Sequence, residues 1–287
     1  MELLLDAASP GAFHNSGERF DPPKCYPNTR LAILAKLTDW IIGSFGWEGY
    51  IMWVYGPAGS GKSAIAQTIA EMCHAKNILL ASFFFSRSDP KRNNEKPLAA
   101  SIAYQVAVNL PQSRSLIESV VEKDPAIFQR SFQVQLNALV LEPLIQISQT
   151  GIFSVTQVPY LIIIDGLDEC LETKVQRHIL DAISESLYLS QYSVPLMFLF
   201  SSRAEQDINL AFSTPAFEGV SSHLVLDDTY HPKTDIRQYF DGCFSEIKRT
   251  HLQKEHVPPT WPTAADISTL VEKSSGQFIY AATVIRY

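Results

Sequence analysis

Several things are scarce in this chain, and each scarcity removes a class of function. No long run of basic charge exists: 23 basic residues face 30 acidic ones, a formal net charge of −7 at pH 7. Sequence-independent nucleic-acid binding draws on a dense basic face, so no nucleic-acid partner is expected. No stretch approaches the ~20 apolar residues that cross a bilayer, so no membrane partner is expected either. The start, MELLLDAASP, holds one short apolar run between Glu2 and Asp6, without the positive start and longer apolar core of a secretory signal. Cysteine is sparse and scattered: Cys25, Cys73, Cys170 and Cys243 lie at no zinc-knuckle or redox-pair spacing. The expectation is a soluble cytoplasmic protein with reduced thiols. Internal repeats and low-complexity tracts are absent too.

What is present is an ordinary globular composition, 46% hydrophobic and 18% charged over 287 residues, long enough to bury a sizeable core. Residues 6 to 28 are rich in Pro, Gly, Asn and charge, with Pro22, Pro23 and Pro27 close together, and residues 1–28 read as an extended leader. Thr29 then stands where it can cap a helix running from Arg30 to about Ile42, with Leu31, Leu34, Ala35, Leu37 and Ile41 at helical spacing and Gly43, Gly46 and Gly49 ending it.

From Tyr50 the pattern becomes short apolar runs alternating with longer amphipathic stretches. The runs are Ile51 to Tyr55, Leu79 to Phe85, Tyr160 to Ile164, Pro195 to Ser201 and His223 to Leu226. Each is apolar on both alternations, which predicts strands covered on both faces. Helices are predicted over Lys62 to Lys76, Pro97 to Leu110, Gln133 to Ser148 and Lys174 to Ser190, with a further helical segment between Arg114 and Arg130. Alternation of this kind gives an α/β fold, a three-layer αβα domain with a five-stranded parallel sheet, over 29–229. Beyond Leu226 only helices are predicted, Thr234 to Thr250 and Ala264 to Arg286, forming a partial helical lid subdomain over 230–287.

The sharpest motif is Gly56-Pro57-Ala58-Gly59-Ser60-Gly61-Lys62-Ser63, which fits G-x-x-x-x-G-K-[ST] and is followed by Ala64 in the predicted helix. Glycines let the backbone turn its N–H groups toward phosphate oxygens, and the helix beginning at Lys62 aims its positive end at the same place. Lys62 would neutralise β- and γ-phosphate oxygens, and the Ser63 hydroxyl would supply one magnesium ligand.

A second run, Leu161-Ile162-Ile163-Ile164-Asp165, is an apolar strand ending in a carboxylate, followed by Gly166-Leu167-Asp168-Glu169. A P-loop site needs an acid at the end of a neighbouring strand to hold Mg2+, and Asp165 is the candidate. Asp168 or Glu169 would orient or deprotonate the attacking water; the choice between them stays open. Arg203, after Phe200-Ser201-Ser202, stands at the carboxyl edge of a strand placed between the other two, in reach of a γ-phosphate, unless it pairs at the surface with Glu205 or Asp207. Arg87 and Arg92 follow the second strand and read as solvated loop arginines, with fingers across a subunit interface as the alternative. Cys170 has no histidine nearby in sequence to activate it. Trp40, Trp47 and Trp53 fit core packing. No Asn-Lys-x-Asp guanine reader occurs, which favours ATP/ADP and leaves GTP open.

With these residues in hand, the chain resembles the nucleotide-binding region of NACHT-type P-loop NTPases of the STAND class, closest to fungal NLR-like proteins and nephrocystin-like N-terminal domains. The resemblance is carried by Cys25-Tyr26-Pro27-Asn28-Thr29-Arg30, the Gly56–Ser63 loop, Ser82-Phe83-Phe84-Phe85-Ser86-Arg87, Asp165-Gly166-Leu167-Asp168-Glu169-Cys170, Ser201-Ser202-Arg203 and Ser275-Gly276-Gln277-Phe278-Ile279-Tyr280-Ala281. It implies a slow ATPase acting as a regulatory switch, closed with ADP and opened by ATP, with Thr29 and Arg30 near the adenine or ribose and Arg203 as a phosphate sensor. Self-association, or a partner protein engaged through flanking domains, is implied as well. Related plant and animal ATPases carry Gly-Leu-Pro-Leu where this chain has Gly276-Gln277-Phe278-Ile279. By the same likeness the chain stops inside the helical subdomain at Tyr287, before a winged helix and repeats. A free-standing turnover ATPase and a remnant that binds without switching are the alternatives.

Overall fold

The computed structural model describes residues 1–43, 49–151, 153, 159–189, 194–252 and 254–287. The expectations for Gly46, Trp47 and Ser190 lie outside these residues. In chain order the helices are α1 (Glu2–Ala7), α2 (Leu31–Ile42), α3 (Lys62–Ala75), α4 (Leu98–Asn109), α5 (Arg114–Lys123), α6 (Phe132–Leu136), α7 (Glu142–Ser148), α8 (Thr173–Leu189), α9 (Gln206–Phe212), α10 (Pro232–Thr250), α11 (Ala264–Ser274) and α12 (Phe278–Arg286). The strands are β1 (Ile51–Tyr55), β2 (Leu79–Phe84), β3 (Tyr160–Asp165), β4 (Leu196–Ser202) and β5 (Ser221–Val225).

All five strands run parallel in the order β2-β3-β4-β1-β5. Successive side chains of a strand point to opposite faces, and the strands divide their apolar residues accordingly. Ile51, Trp53, Ile162, Ile164, Phe198 and Phe200 join the core beneath α4 to α9. Met52, Val54, Leu161, Ile163, Met197 and Leu199 join a second core beneath α2 and α3. The result is the expected three-layer αβα domain. Helices α10 to α12 carry a third cluster of their own, around Ile236, Phe240, Phe244 and Val271.

Five expectations need correction. The leader is not extended throughout: it opens with α1 and a 3-10 turn at Pro10–Ala12, and Leu4 and Ala12 are buried against the main core. A six-residue helix is unstable alone and owes its existence to that packing, which composition does not report. Thr29 does not cap α2; its hydroxyl donates to the Tyr26 carbonyl at 2.7 Å, and the cap position is Arg30, in the left-handed region at φ 57°. β5 is not covered on both faces: only Leu224 is buried, unlike the opposite edge strand β2, which is buried throughout. The helix predicted from Ala264 to Arg286 is two helices, broken where Ser275 (φ 48°) and Gly276 (φ 77°) leave helical geometry. The helix predicted over Gln133 to Ser148 passes through a π-turn at Asn137–Leu141. Pro143 lacks an N–H and its ring would meet the Leu139 carbonyl in a regular helix, and the wider turn relieves that conflict. Helix α9 had no counterpart in the sequence reading.

Candidate functional site

The P-loop follows β1 at the carboxyl edge of the sheet and turns into α3. Gly59 (φ 76°) and Gly61 (φ 93°) both sit in the left-handed region, where a side chain costs about 1–2 kcal/mol. Gly61 occupies the cap position of α3 without any side-chain cap. The first N–H groups of the helix therefore have no side chain competing for them, the arrangement that suits an anion. Lys62 folds back over the loop, its Nζ donating to the carbonyls of Gly56 and Pro57 at 2.9 Å each. Burial lowers its pKa, opposed by the charges of Asp168 and Asp165. Ala64 follows in the first turn of α3, its carbonyl accepting from the Thr68 hydroxyl at 2.8 Å.

Asp165 ends β3 beside Ser201, its register partner on β4. It is 3% exposed and accepts a hydrogen bond from the Ser201 hydroxyl, and the nearby Ser63 hydroxyl favours its charged form as well. Desolvation pushes its pKa up, with the Arg19 charge pulling the other way. A buried carboxylate beside two neutral hydroxyls, one of them on the P-loop, fits a hard cation that takes oxygen ligands. No group of three or more His, Cys, Asp or Glu gathers among the described residues. Magnesium takes one or two protein oxygens and completes its shell elsewhere, a demand that Asp165 and Ser63 can meet.

The two acids left open by sequence separate clearly. Asp168, 3% exposed, is gripped by Arg203 through the backbone N (2.9 Å, Oδ1) and Nε (2.7 Å, Oδ2). Arg203 thus forms its ion pair with Asp168 of the acidic loop rather than with Glu205 or Asp207. Glu169 is half-buried and its Oε2 accepts from the backbone N of Arg87 at 3.1 Å. Arg87 also donates from Nη2 to the Asp168 carbonyl at 2.9 Å. It therefore ties the loop after β2 to the acidic loop, a role its exposed, charged surroundings in sequence did not signal.

Thr29 and Arg30 are both buried. Arg30 reaches the P-loop itself, donating from Nη2 to the Ser60 carbonyl at 2.7 Å. On the opposite side, Ile279 donates its N–H to the Gly59 carbonyl at 3.3 Å, so the start of α12 lies directly on the loop. Sequence reasoning also missed Arg19 of the leader. Its guanidinium lies 3.6 Å from the Phe84 ring centroid and donates to Gln67 Oε1 at 2.8 Å, one turn along α3 from Ser63. Cys170 is 1% exposed with its thiol pushed up to about 11 by burial, inert as expected. Trp40 and Trp53 are core residues, at 8% and 2% exposure. A surface cavity of about 340 Å³ lined by Phe212, Phe217 and His223 opens beside β5 and includes no P-loop residue.

The acid-ended β3, the P-loop after β1 and the arginine-ended β4 between them are one constellation, and a family match covers all three. The family model described as nephrocystin 3, N-terminal, matches residues 35–203. The chain belongs to this family. As a nephrocystin 3 N-terminal-type protein it has the P-loop NTPase architecture, with α10 to α12 lying beyond the matched span. No curated protein matches its sequence. Among solved structures it is similar to the Drosophila ORC bound to GC-rich DNA and Cdc6, at 14% identity and a TM-score of 0.39, over 73% of this chain and 30% of that one. It is also similar to AMPPCP-bound DnaA from Aquifex aeolicus, at 15% identity and a TM-score of 0.42, over 97% of this chain and 64% of that one. The chain thus spans less than two thirds of either.

Proposed function

We propose that this nephrocystin 3 N-terminal-type chain binds ATP and ADP with magnesium at the Gly56–Ser63 loop and hydrolyses ATP slowly, as the regulatory switch module of a NACHT- or STAND-type signalling protein. The observation that carries the reading is the contact of Ser63 on the P-loop with Asp165 at the end of β3, beneath a helix N-terminus left uncapped. Phosphate oxygens would draw Lys62 away from the Gly56 and Pro57 carbonyls that hold it now. Magnesium, when bound, neutralises phosphate charge, and Ser63 with Asp165 would hold it. Glu169 would accept a proton from the attacking water, because Asp168 is committed to Arg203 on both oxygens. Arg203, fixed by Asp168, would present its remaining guanidinium nitrogens to the terminal phosphate. ATP is favoured over GTP by the lack of an Asn-Lys-x-Asp reader.

A slow switch is favoured over a turnover enzyme by the seating of α12 on the loop, where Ile279 contacts Gly59. Cytoplasmic location and self-association through flanking domains belong to the same reading. Among the described residues no helix is long and apolar enough to cross a membrane. The test is nucleotide binding to wild type and Lys62→Ala by titration calorimetry with Mg-ATP and Mg-ADP. A loss of at least about ten-fold in affinity, roughly 1.4 kcal/mol, is expected. Equal tight binding by the variant overturns the site, and steady-state turnover well above ~1 s⁻¹ without a partner overturns the switch.

A further inference from the structure

The segment Cys25-Tyr26-Pro27-Asn28-Thr29-Arg30 lies between the P-loop and α10, and it touches both through specific contacts. Helix α10 turns Asp235, Gln238, Tyr239 and Gly242 toward it, at the i, i+3, i+4, i+7 spacing that puts them on one face. The Arg30 backbone N donates to Asp235 Oδ2 at 3.0 Å, and Gln238 Nε2 donates to the Pro27 carbonyl at 3.3 Å. Tyr26 meets Tyr239 edge to face, with centroids 5.3 Å apart. Gly242 is the seat of the Tyr26 ring: a Cβ there would fall 2.1 Å from its Oη and 2.7 Å from Cζ.

On the other side, Arg30 Nη2 holds the Ser60 carbonyl of the P-loop at 2.7 Å, and its guanidinium lies over the Phe278 ring at 4.5 Å. Two atoms at this junction are buried without a hydrogen-bond partner among the described residues, Arg30 Nε and Ser60 Oγ. Nε stands 4.0 Å from Asp235 Oδ2, within ion-pair range but short of a hydrogen bond. Leaving a buried donor unmet is costly, so the fork between Arg30 and Asp235 is half made. A small approach of α10 would complete it, and a shift of the Ser60 carbonyl would release its other arm. An element with two such arrangements can be biased from either side.

We propose that Arg30 is a positioning residue that links the P-loop to the helical subdomain. Through the Arg30–Asp235 pair, phosphate at the loop and the seat of α10 are coupled. The proposal rests on the nucleotide-binding reading above.

Hydrogen exchange on the full chain, with and without Mg-ADP, tests it in wild type, Asp235→Asn and Gly242→Ala. Asp235→Asn keeps an acceptor for the Arg30 backbone N while removing the charge, and unchanged sheet amides show that the fold survives. In wild type, Mg-ADP slows exchange in both α3 and α10, by roughly ten-fold. In both variants α3 is slowed as in wild type while the α10 response falls below about two-fold. An α10 response equal to wild type in both variants overturns the coupling. If Mg-ADP fails to slow α3 in wild type, the nucleotide-binding reading is what fails. The coupling is then judged without nucleotide: Asp235→Asn must speed exchange in the first turn of α3 as well as in α10, and a change confined to α10 overturns it.

Discussion

Arg203 holds both carboxylate oxygens of Asp168, one through its backbone N at 2.9 Å and one through Nε at 2.7 Å. Asp168 is 5% exposed in its side chain and Arg203 42%, so the arginine is fixed at its root while its outer nitrogens remain in reach of the loop edge. That arrangement divides labour between two neighbouring acids that look interchangeable in sequence.

The first prediction follows from the division. Glu169→Gln keeps the hydrogen bond from Arg87 and loses the proton acceptor, so single-turnover hydrolysis of ATP falls by about a hundred-fold or more. Nucleotide affinity stays within about three-fold. Asp168→Asn cannot satisfy both Arg203 donors and is destabilised by about 1–2 kcal/mol in chemical denaturation, with a smaller loss of rate. A neutral Glu169→Gln beside an inactive but stable Asp168→Asn would reverse the assignment.

The second concerns the metal. Asp165 is buried among neutral hydroxyls, and burial disfavours its charged form. Asp165→Asn removes a desolvated charge while keeping an acceptor for Ser63 and Ser201, so its Tm is expected at or above wild type. Wild type binds ADP at least about ten-fold more tightly with magnesium than in EDTA, and the variant binds equally in both. A magnesium dependence that survives in Asp165→Asn places the cation elsewhere.

Much of this was legible in the sequence, for identifiable reasons. The β1 and β3 runs are apolar on both faces because the sheet is covered on both, and the two charged or glycine-rich motifs sit at strand ends where the pattern breaks. The contacts that cross the fold were not legible. Asp168 and Glu169 are told apart by partners distant in sequence, Arg203 holding the first and the Arg87 backbone N meeting the second. The contacts of Arg19, Arg87 and Asp235 carry no local signal, since each lies among other charged residues and is given its role by a partner distant in sequence. The leader was misread for the same reason. Ser9 is held by the Ser101 hydroxyl and the buried His14 by Ser82 and Gln67, and composition shows none of those partners.

The third prediction tests the closeness of α12 to the loop. A Cβ at Gly59 would lie 2.4 Å from Ile279 Cγ2, and Gly59 has φ 76°. Gly59→Ala therefore suffers both the left-handed penalty of about 1–2 kcal/mol and a clash with the lid. Ile279→Ala on its own costs little, because Ile279 is 59% exposed. The double variant recovers the clash but not the backbone term, so its denaturation midpoint falls between those of wild type and Gly59→Ala. Strict additivity of the two single effects would mean that α12 does not sit on the loop in solution.

The last prediction uses the leader as a pH sensor of its own docking. His14 is 5% exposed, with its backbone N donating to Ser82 Oγ at 2.9 Å and its Nδ1 3.2 Å from the same hydroxyl. The His74 ring is 4.9 Å away, and Arg19 and Gln67 both donate to the His14 carbonyl. Burial chiefly, then the charges of His74 and Arg19, lower its pKa from 6.5 to about 4, with Glu71 opposing. The folded leader thus holds His14 neutral while the unfolded chain protonates it near 6.5. Between those values the unfolded state binds more protons, so stability falls as pH falls and levels off only below about 4. Melting curves between pH 7 and pH 4.5 should show Tm dropping by several degrees from this group. His14→Gln, which carries no titrating ring, should flatten that part of the profile. Parallel profiles for the two proteins would mean that the leader is undocked, or His14 exposed, before global unfolding begins.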